Sequence, residues 1–197
     1  MRIGVFGGAF NPVHNGHLKL ANAYLAELNL DKMIFIPTAV PPHKTSVGLI
    51  SGEHRINMLK SAITNNERFE ISDIEFKRKG KSYSYDTICQ LKKVYTDDEF
   101  YLIIGSDQFF YFHNWYRAGD ILDMVTVCTA AREDNEYNML CNYKNSNDDM
   151  KKCIISNFDV FEISSSAIRN LILNGESISG LVPMEVEKYI KENKLYV

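Results

Sequence analysis

The chain has 197 residues, 45% of them hydrophobic and 24% charged, with a formal net charge of -3. That length suits a single domain, residues 1–197, with a sizeable core. No apolar run approaches the ~18 residues of a membrane span, and the acidic balance argues against a dedicated nucleic-acid binder, which carries a basic surplus. The N-terminal MRIGVFGGAF enters a strand pattern without the basic segment, apolar core and cleavage site of a secretory signal, so a cytoplasmic protein is expected. Cys89, Cys128, Cys141 and Cys153 form no C-x-x-C pair; reduced thiols are expected, and no metal site built from protein ligands.

Along the chain, short apolar runs alternate with stretches of helical periodicity, the pattern of an α/β doubly wound parallel sheet with helices on both faces. Ile3 to Phe6 reads as the first strand, and Leu18, Ala21, Leu25 and Leu28 stripe the first helix. Met33 to Ile36 reads as the second strand, and Ile56, Leu59 and Ile63 stripe a second helix. An extended segment is expected over Phe69 to Phe76, followed by a helix striped by Ile88, Leu91 and Tyr95. Phe100 to Ile104 and Met124 to Thr129 are the clearest later strands. The polar stretch Glu133 to Lys152 is expected to be a surface excursion with one irregular helix. VFEI, Val160 to Ile163, is strand-like. SSSAIRNLILNG opens on cap residues and closes on Asn-Gly, as a short helix should, and Pro183 suits the first turn of a last helix through PMEVEKYIKEN.

Two stretches carry chemistry. In GGAFNPVHNGH, Gly7 to His17, the glycines behind a buried strand let the backbone approach a ligand, and the following helix start supplies amide donors and a positive dipole end. With a helix beginning near Asn15, His14 and His17 lie about one turn apart and can both face phosphates at the carboxyl ends of the strands. The phosphate loop G-x-x-x-x-G-K-[ST] is absent, and GVFGGAF does not supply G-x-G-x-x-G, which counts against a dinucleotide-binding dehydrogenase. In ISSSAIR, Ile163 to Arg169, serines can cap a helix while its amides and Arg169 bind phosphate oxygens. Either stretch alone is weak evidence; together they form two anion seats.

GGAFNPVHNGH matches the GGxFxPxHxGH signature, and ISSSAIR the ISSTxIR signature, of the nucleotidyltransferase superfamily with the H-x-G-H motif. More narrowly, the chain resembles the bacterial nicotinate-nucleotide adenylyltransferase family, sharing IPTAVPPHK, GKSYSYDT, GSD, WY and the closing LVPMEVEKYIKENKLYV in order. The resemblance implies a Rossmann-like sheet of the nucleotidyltransferase type. It implies adenylyl transfer from ATP to nicotinate mononucleotide, giving deamido-NAD and pyrophosphate with Mg2+ assisting. Such chemistry asks a protein for positioning and charge stabilisation, so no side-chain nucleophile is needed.

By that resemblance, His14, His17 and Arg169 are the catalytic residues and contact the ATP phosphates. Gly8, Ala9 and Phe10 line the loop, Ser164, Ser165 and Ser166 stand at the second seat, and Gly105 and Asp107 contact the nucleoside, with Asp107 accepting a ribose hydroxyl. A helix-capping Asp107 is the plain alternative. Lys44 reaches the mononucleotide phosphate, and Trp115 with Tyr116 stacks on the pyridine ring, a core role being the alternative for a lone tryptophan. Ser84 replaces the family's usual threonine at a position that helps recognise the nicotinate carboxylate, and Ser166 replaces the threonine of ISST.

Rival readings are nicotinamide mononucleotide or pantetheine phosphate as acceptor, or a nucleotide-sensing module without turnover. A class I aminoacyl-tRNA synthetase is disfavoured by the short chain and the lack of KMSKS. The aromatic run FFYFHNWY, Phe109 to Tyr116, could form a subunit contact as well as a wall of the ring site, which leaves a homo-oligomer open.

Overall fold

The structure, a computed structural model, describes residues 1–42, 48–131, 134–158 and 163–197. Six parallel strands form one sheet: β1 (Arg2–Gly8), β2 (Lys32–Pro37), β3 (Phe69–Ile71), β4 (Glu99–Ile104), β5 (Thr126–Ala131) and β6 (Ile154–Asn157). Their order is β3-β2-β1-β4-β5-β6. Val5 of β1 is in register with Ile34 on one side and Leu102 on the other. The order reverses between β1 and β4, and in a doubly wound sheet the crevice at the carboxyl ends of two such strands is where a ligand fits.

Side chains alternate across a strand, so each strand feeds two cores. Phe6, Met33, Phe35, Tyr101 and Ile103 face one side, where they meet α1 (Asn15–Glu27), α2 (Gly52–Ile63), α7 (Ser165–Leu173) and α8 (Met184–Glu192). Ile3, Val5, Ile34, Ile36, Leu102 and Ile104 face the other, under α3 (Ser84–Val94), α4 (Ser106–Phe110), α5 (Ala118–Met124) and α6 (Asp134–Asn145). Burial on both faces explains why the strands read as continuous apolar runs.

Several expectations change in detail. Only Phe69–Ile71 of the segment Phe69 to Phe76 is strand; Ile74–Lys77 forms a 3-10 turn that carries Glu75 into the interior. The buried face of α2 is Arg55, Met58, Leu59 and Ile63, rotated from the expected stripe because an arginine occupies a core position. The stretch from Glu133 to Lys152 contains the regular 12-residue helix α6, anchored by the fully buried Leu140, and Met150 is fully buried as well, so a few apolar contacts outweigh a polar composition. The apolar run at Met124 belongs to the end of α5, and β5 starts two residues later. The sixth strand is Ile154–Asn157; of VFEI, residues 160–162 lie outside the described residues. Pro183 is the N-cap of α8 rather than part of its first turn. SSSAIRNLILNG folds as expected: Ser164 Oγ accepts from Ala167 N at 3.1 Å, and Gly175 closes the helix in the left-handed region at φ 73°.

Phe35 is fully buried at the centre of an aromatic cluster, with ring centroids 5.7 Å from Phe6, 5.8 Å from Phe10 and 5.1 Å from Phe69. Truncation there leaves a cavity that β-strand neighbours cannot fill. Phe35→Ala is expected to lower unfolding free energy by about 3–5 kcal/mol, read as a lower midpoint in urea with an unchanged m-value.

Candidate active site

The loop from β1 to α1 leaves the sheet at its carboxyl edge and turns sharply. Phe10 adopts φ 46°, a conformation side chains rarely take, and buries its ring 5.6 Å from Phe6 and 5.1 Å from His17. Its ring lies so close to Gly8 that a Cβ there would stand 3.1 Å from Phe10 Cζ. A side chain at position 8 would press on the phenylalanine ring, which would have to give by a few tenths of an ångström. At Gly7 a Cβ would meet nothing within 4 Å, so there the backbone borders open space.

The carbonyl oxygens of this loop are occupied from inside the protein. Gly8 O accepts from Thr38 N at 2.9 Å, Ala9 O from Arg55 at 2.9 Å, Asn11 O from Arg169 at 2.8 Å, and Pro12 O from the Ser165 hydroxyl at 2.8 Å. Oxygen dipoles that would repel an anion are thereby committed to donors in the fold.

His14 is the N-cap of α1, with extended backbone. Its N–H donates to His17 Nδ1 at 3.2 Å, and the two rings stack with centroids 3.6 Å apart. A neutral histidine that accepts at Nδ1 carries its proton on Nε2, so this capping contact selects the tautomer of His17. The start of α1 is also tied to the distant C-terminal segment: Asn15 N and Nδ2 donate to Leu181 O and Gly180 O at 2.9 and 2.8 Å.

Two chambers open at the carboxyl edge and share a wall of Gly7, Ala9, Pro41, Ile104, Gly105 and Asp107. The larger, about 750 Å3, is lined by His14, His17 and Phe10 on one side and by Ser164, Ser165, Ser166 and Arg169 on the other. Arg169 is partly buried, holding Asn11 O with one nitrogen and Ser166 Oγ with the other at 3.2 Å. The hydroxyls of the three serines have partners within the fold: Ser164 caps α7, Ser165 bonds Pro12 O, and Ser166 accepts from Arg169. What this helix start offers a ligand is backbone amides, the guanidinium, and the hydroxyl protons of Ser164 and Ser166, whose oxygens act only as acceptors within the fold.

The smaller chamber, about 240 Å3, is lined by Gly8, Thr38, Glu75, Ser82, Tyr83, Ser84, Trp115 and Tyr116. Trp115 serves both core and chamber: its ring packs 5.2 Å from buried Phe112, while the indole Nε1 has no hydrogen-bond partner among the described residues. Tyr116 is half exposed and packs 4.7 Å from Tyr83. Asp107 lies inside the first turn of α4, whose N-cap is Gly105, so it is not the capping residue. The run Phe109 to Tyr116 splits, with Phe109 and Phe112 in the core and Tyr111 and Tyr116 exposed. Lys44 lies outside the described residues.

Three residues absent from the sequence reading hold this edge together. Arg55, 1% exposed, donates through one nitrogen to Ala9 O at 2.9 Å and Thr38 O at 2.7 Å, and through Nε to Ile50 O at 3.3 Å. Burial pushes its pKa below the ordinary value, yet a guanidinium stays charged. Glu75, 6% exposed, accepts from Ala39 N at 3.3 Å and from Thr87 Oγ1 at 2.8 Å. Asn11 donates to Gly48 O at 2.8 Å and accepts from the hydroxyl of Tyr196 at 2.9 Å. The legible sign was Arg55, a charged residue at i, i+3, i+4 and i+8 spacing with Met58, Leu59 and Ile63.

A chain with this strand order, this histidine loop and an arginine-bearing helix start facing it is a nucleotidyltransferase in architecture. The cytidylyltransferase-like family profile matches residues 5–171. The nicotinate-nucleotide adenylyltransferase of Bacillus subtilis (strain 168) is 35% identical over 199 residues, covering 99% of this chain and 98% of its own. A probable nicotinate-nucleotide adenylyltransferase of Geobacillus thermodenitrificans (strain NG80-2) is 41% identical over 195 residues, covering 99% of this chain and 86% of its own. The chain therefore belongs to the cytidylyltransferase-like family and, within it, to the nicotinate-nucleotide adenylyltransferases. Its fold is shared by the Plasmodium falciparum nicotinic acid mononucleotide adenylyltransferase solved in complex with NaAD, with a TM-score of 0.79 at 19% identity over 99% of this chain and 97% of that one. Among the described residues no helix is long and apolar enough to cross a membrane.

Tyr196 is held in the left-handed region at φ 66° and its phenol is pushed well above the ordinary pKa by burial, so it remains a neutral donor to Asn11. Tyr196→Phe deletes that bond while keeping the ring. It is expected to cost about 0.5–1.5 kcal/mol, measured as a fall in thermal midpoint.

Proposed function

We propose that the whole chain, as one nucleotidyltransferase domain, transfers the adenylyl group of ATP to nicotinate mononucleotide, forming deamido-NAD and releasing pyrophosphate. The observation that carries this reading is the pair of chambers meeting at Gly7, Ala9, Gly105 and Asp107, one ending in two histidines and an arginine and the other in a tryptophan. The larger chamber takes ATP and the smaller takes the mononucleotide, so the reacting groups meet at the shared wall. A phosphate oxygen of the mononucleotide attacks the α-phosphorus of ATP in line; the new P–O bond forms as the bond to the β-phosphate bridging oxygen breaks.

The protein's part is positioning and charge stabilisation. His17, protonated on Nε2 by the tautomer its Nδ1 contact selects, donates to oxygen as charge builds on the α-phosphoryl and the leaving pyrophosphate. His14, stacked on it, holds the ring and contacts the phosphates. Arg169 and the amides of Ser165 and Ser166 at the start of α7 take the β- and γ-phosphates. Gly8, Ala9 and Phe10 shape the loop beneath them. Asp107 with Gly105 receives the ribose. Trp115 stacks on the pyridine ring beside Tyr116, while Ser84 at the start of α3 and Lys44 engage the carboxylate and phosphate of the acceptor.

The described residues contain no group of three or more His, Cys, Asp or Glu able to hold a metal ion. They fit a Mg2+ that arrives on the nucleotide, since this ion is commonly held by substrate phosphates, waters and few carboxylates. When bound it neutralises phosphate charge. A cytoplasmic location, with no nucleic-acid or membrane partner, accords with this substrate pair.

The rival acceptor, nicotinamide mononucleotide, differs only in an amide for a carboxylate. Comparing pyrophosphate release with each mononucleotide in the presence of ATP and Mg2+ tests the assignment: the nicotinate form is expected to give the higher kcat/KM, and a preference for the amide rejects it. His17→Ala is expected to lower kcat by about 10^2- to 10^3-fold with an unchanged circular dichroism spectrum, and a rate near wild type removes His17 from its role.

A further inference from the structure

We infer that Arg55 and Glu75 are a pair of positioning residues that act through a single peptide group, the one joining Thr38 to Ala39, to fix the acceptor chamber against the donor loop. This rests on the assignment of the smaller chamber to the mononucleotide. Arg55 donates to the carbonyl of Thr38 at 2.7 Å, and Glu75 accepts from the N–H of Ala39 at 3.3 Å. These two atoms belong to one peptide plane. Its dipole, about 3.5 D, therefore lies with its negative end on a buried cation and its positive end on a buried anion.

The arrangement is unusual for buried charges. Arg55 and Glu75 are 1% and 6% exposed, and among the described residues neither forms a direct ion pair with the other. Their charges attract across the peptide instead. A buried charge is costly unless its hydrogen bonds are satisfied, so each holds the peptide firmly, and reversal of the peptide would turn both dipole ends against their charges.

Both residues also reach beyond the peptide, in opposite directions. Arg55 uses the same nitrogen to bond Ala9 O, in the loop shared by both chambers. Glu75 accepts from Thr87 of α3, the helix that begins at Ser84. The wall is completed by a reciprocal pair, Ser82 N to Val40 O at 2.9 Å and Val40 N to Ser82 Oγ at 3.1 Å. The chain of contacts thus runs from the donor loop through Arg55, the peptide and Glu75 to the helix start beside the acceptor. In-line transfer is sensitive to such registry, because a misplacement of ~1 Å can cost about 100-fold in rate.

The test is a double-mutant cycle on Arg55→Met and Glu75→Leu, with Arg55→Lys and Glu75→Gln as conservative partners. Wild-type turnover of ATP with nicotinate mononucleotide is measured first: its absence rejects the proposed function, and the inference with it. With active wild type, kcat/KM for the mononucleotide at saturating ATP is expected to fall about 10- to 100-fold in each apolar variant. The double variant is expected to lie within about threefold of the worse single one, the non-additivity of residues acting as a unit. Glu75→Leu should leave the KM for ATP within about twofold, a split that general loosening of the fold would not give, and the conservative variants should recover part of the loss. Losses that multiply, equal losses for both substrates in Glu75→Leu, or a rate unchanged in both apolar variants each overturn the pairing. Should the apolar variants fail to fold, R55K and E75Q carry the test: each should lower the ratio about threefold or more, and unchanged ratios in both overturn it.

Discussion

The site depends on one constraint, that the carbonyl oxygens of the loop after β1 are bonded inward. Four of them, at Gly8, Ala9, Asn11 and Pro12, accept from a backbone amide, two arginines and a serine hydroxyl. Oxygens left facing the chamber would repel any anion that entered it. Binding them to buried donors removes the repulsion and also sets the loop's shape. The donors come from the β2 loop, α2 and α7, so the loop is correct only when the sheet and both flanking helices are assembled.

This accounts for the double duty of several residues. Arg169 lines the larger chamber while anchoring Asn11, and Ser165 at the start of α7 anchors Pro12. The C-terminal segment closes on the same point, with Tyr196 on Asn11 and residues 180–181 on Asn15. Parts of the chain separated by some 150 to 185 positions thus meet on one loop.

The fold was legible because its strands are buried on both faces and its helices begin and end with ordinary signals. The apolar runs gave β1, β2 and β4, Ser164 and Asn174-Gly175 bounded α7, and the glycine-histidine loop marked the carboxyl edge. Where polar residues mask a few deep anchors, as at Leu140 in α6, periodicity failed. At Met124 the apolar run crossed a helix–strand boundary, and composition held no trace of it. The 3-10 turn that buries Glu75 lies in a stretch whose pattern suggests an extended segment, because an isolated carboxylate gives no hint that Ala39 and Thr87 will satisfy it.

By itself the sequence determined the family and most of the element order, since these are properties of local strings: glycines before a helix start, histidines three apart, serines before an arginine, apolar runs between helical stretches. Only the tertiary structure decided that Arg55 and Glu75 share one peptide, that Arg169 and Ser165 hold the carbonyls of Asn11 and Pro12, and that Tyr196 closes on Asn11. Those facts depend on atoms distant in the chain meeting within hydrogen-bond range. Side-chain type announces a donor or an acceptor; only packing chooses its partner.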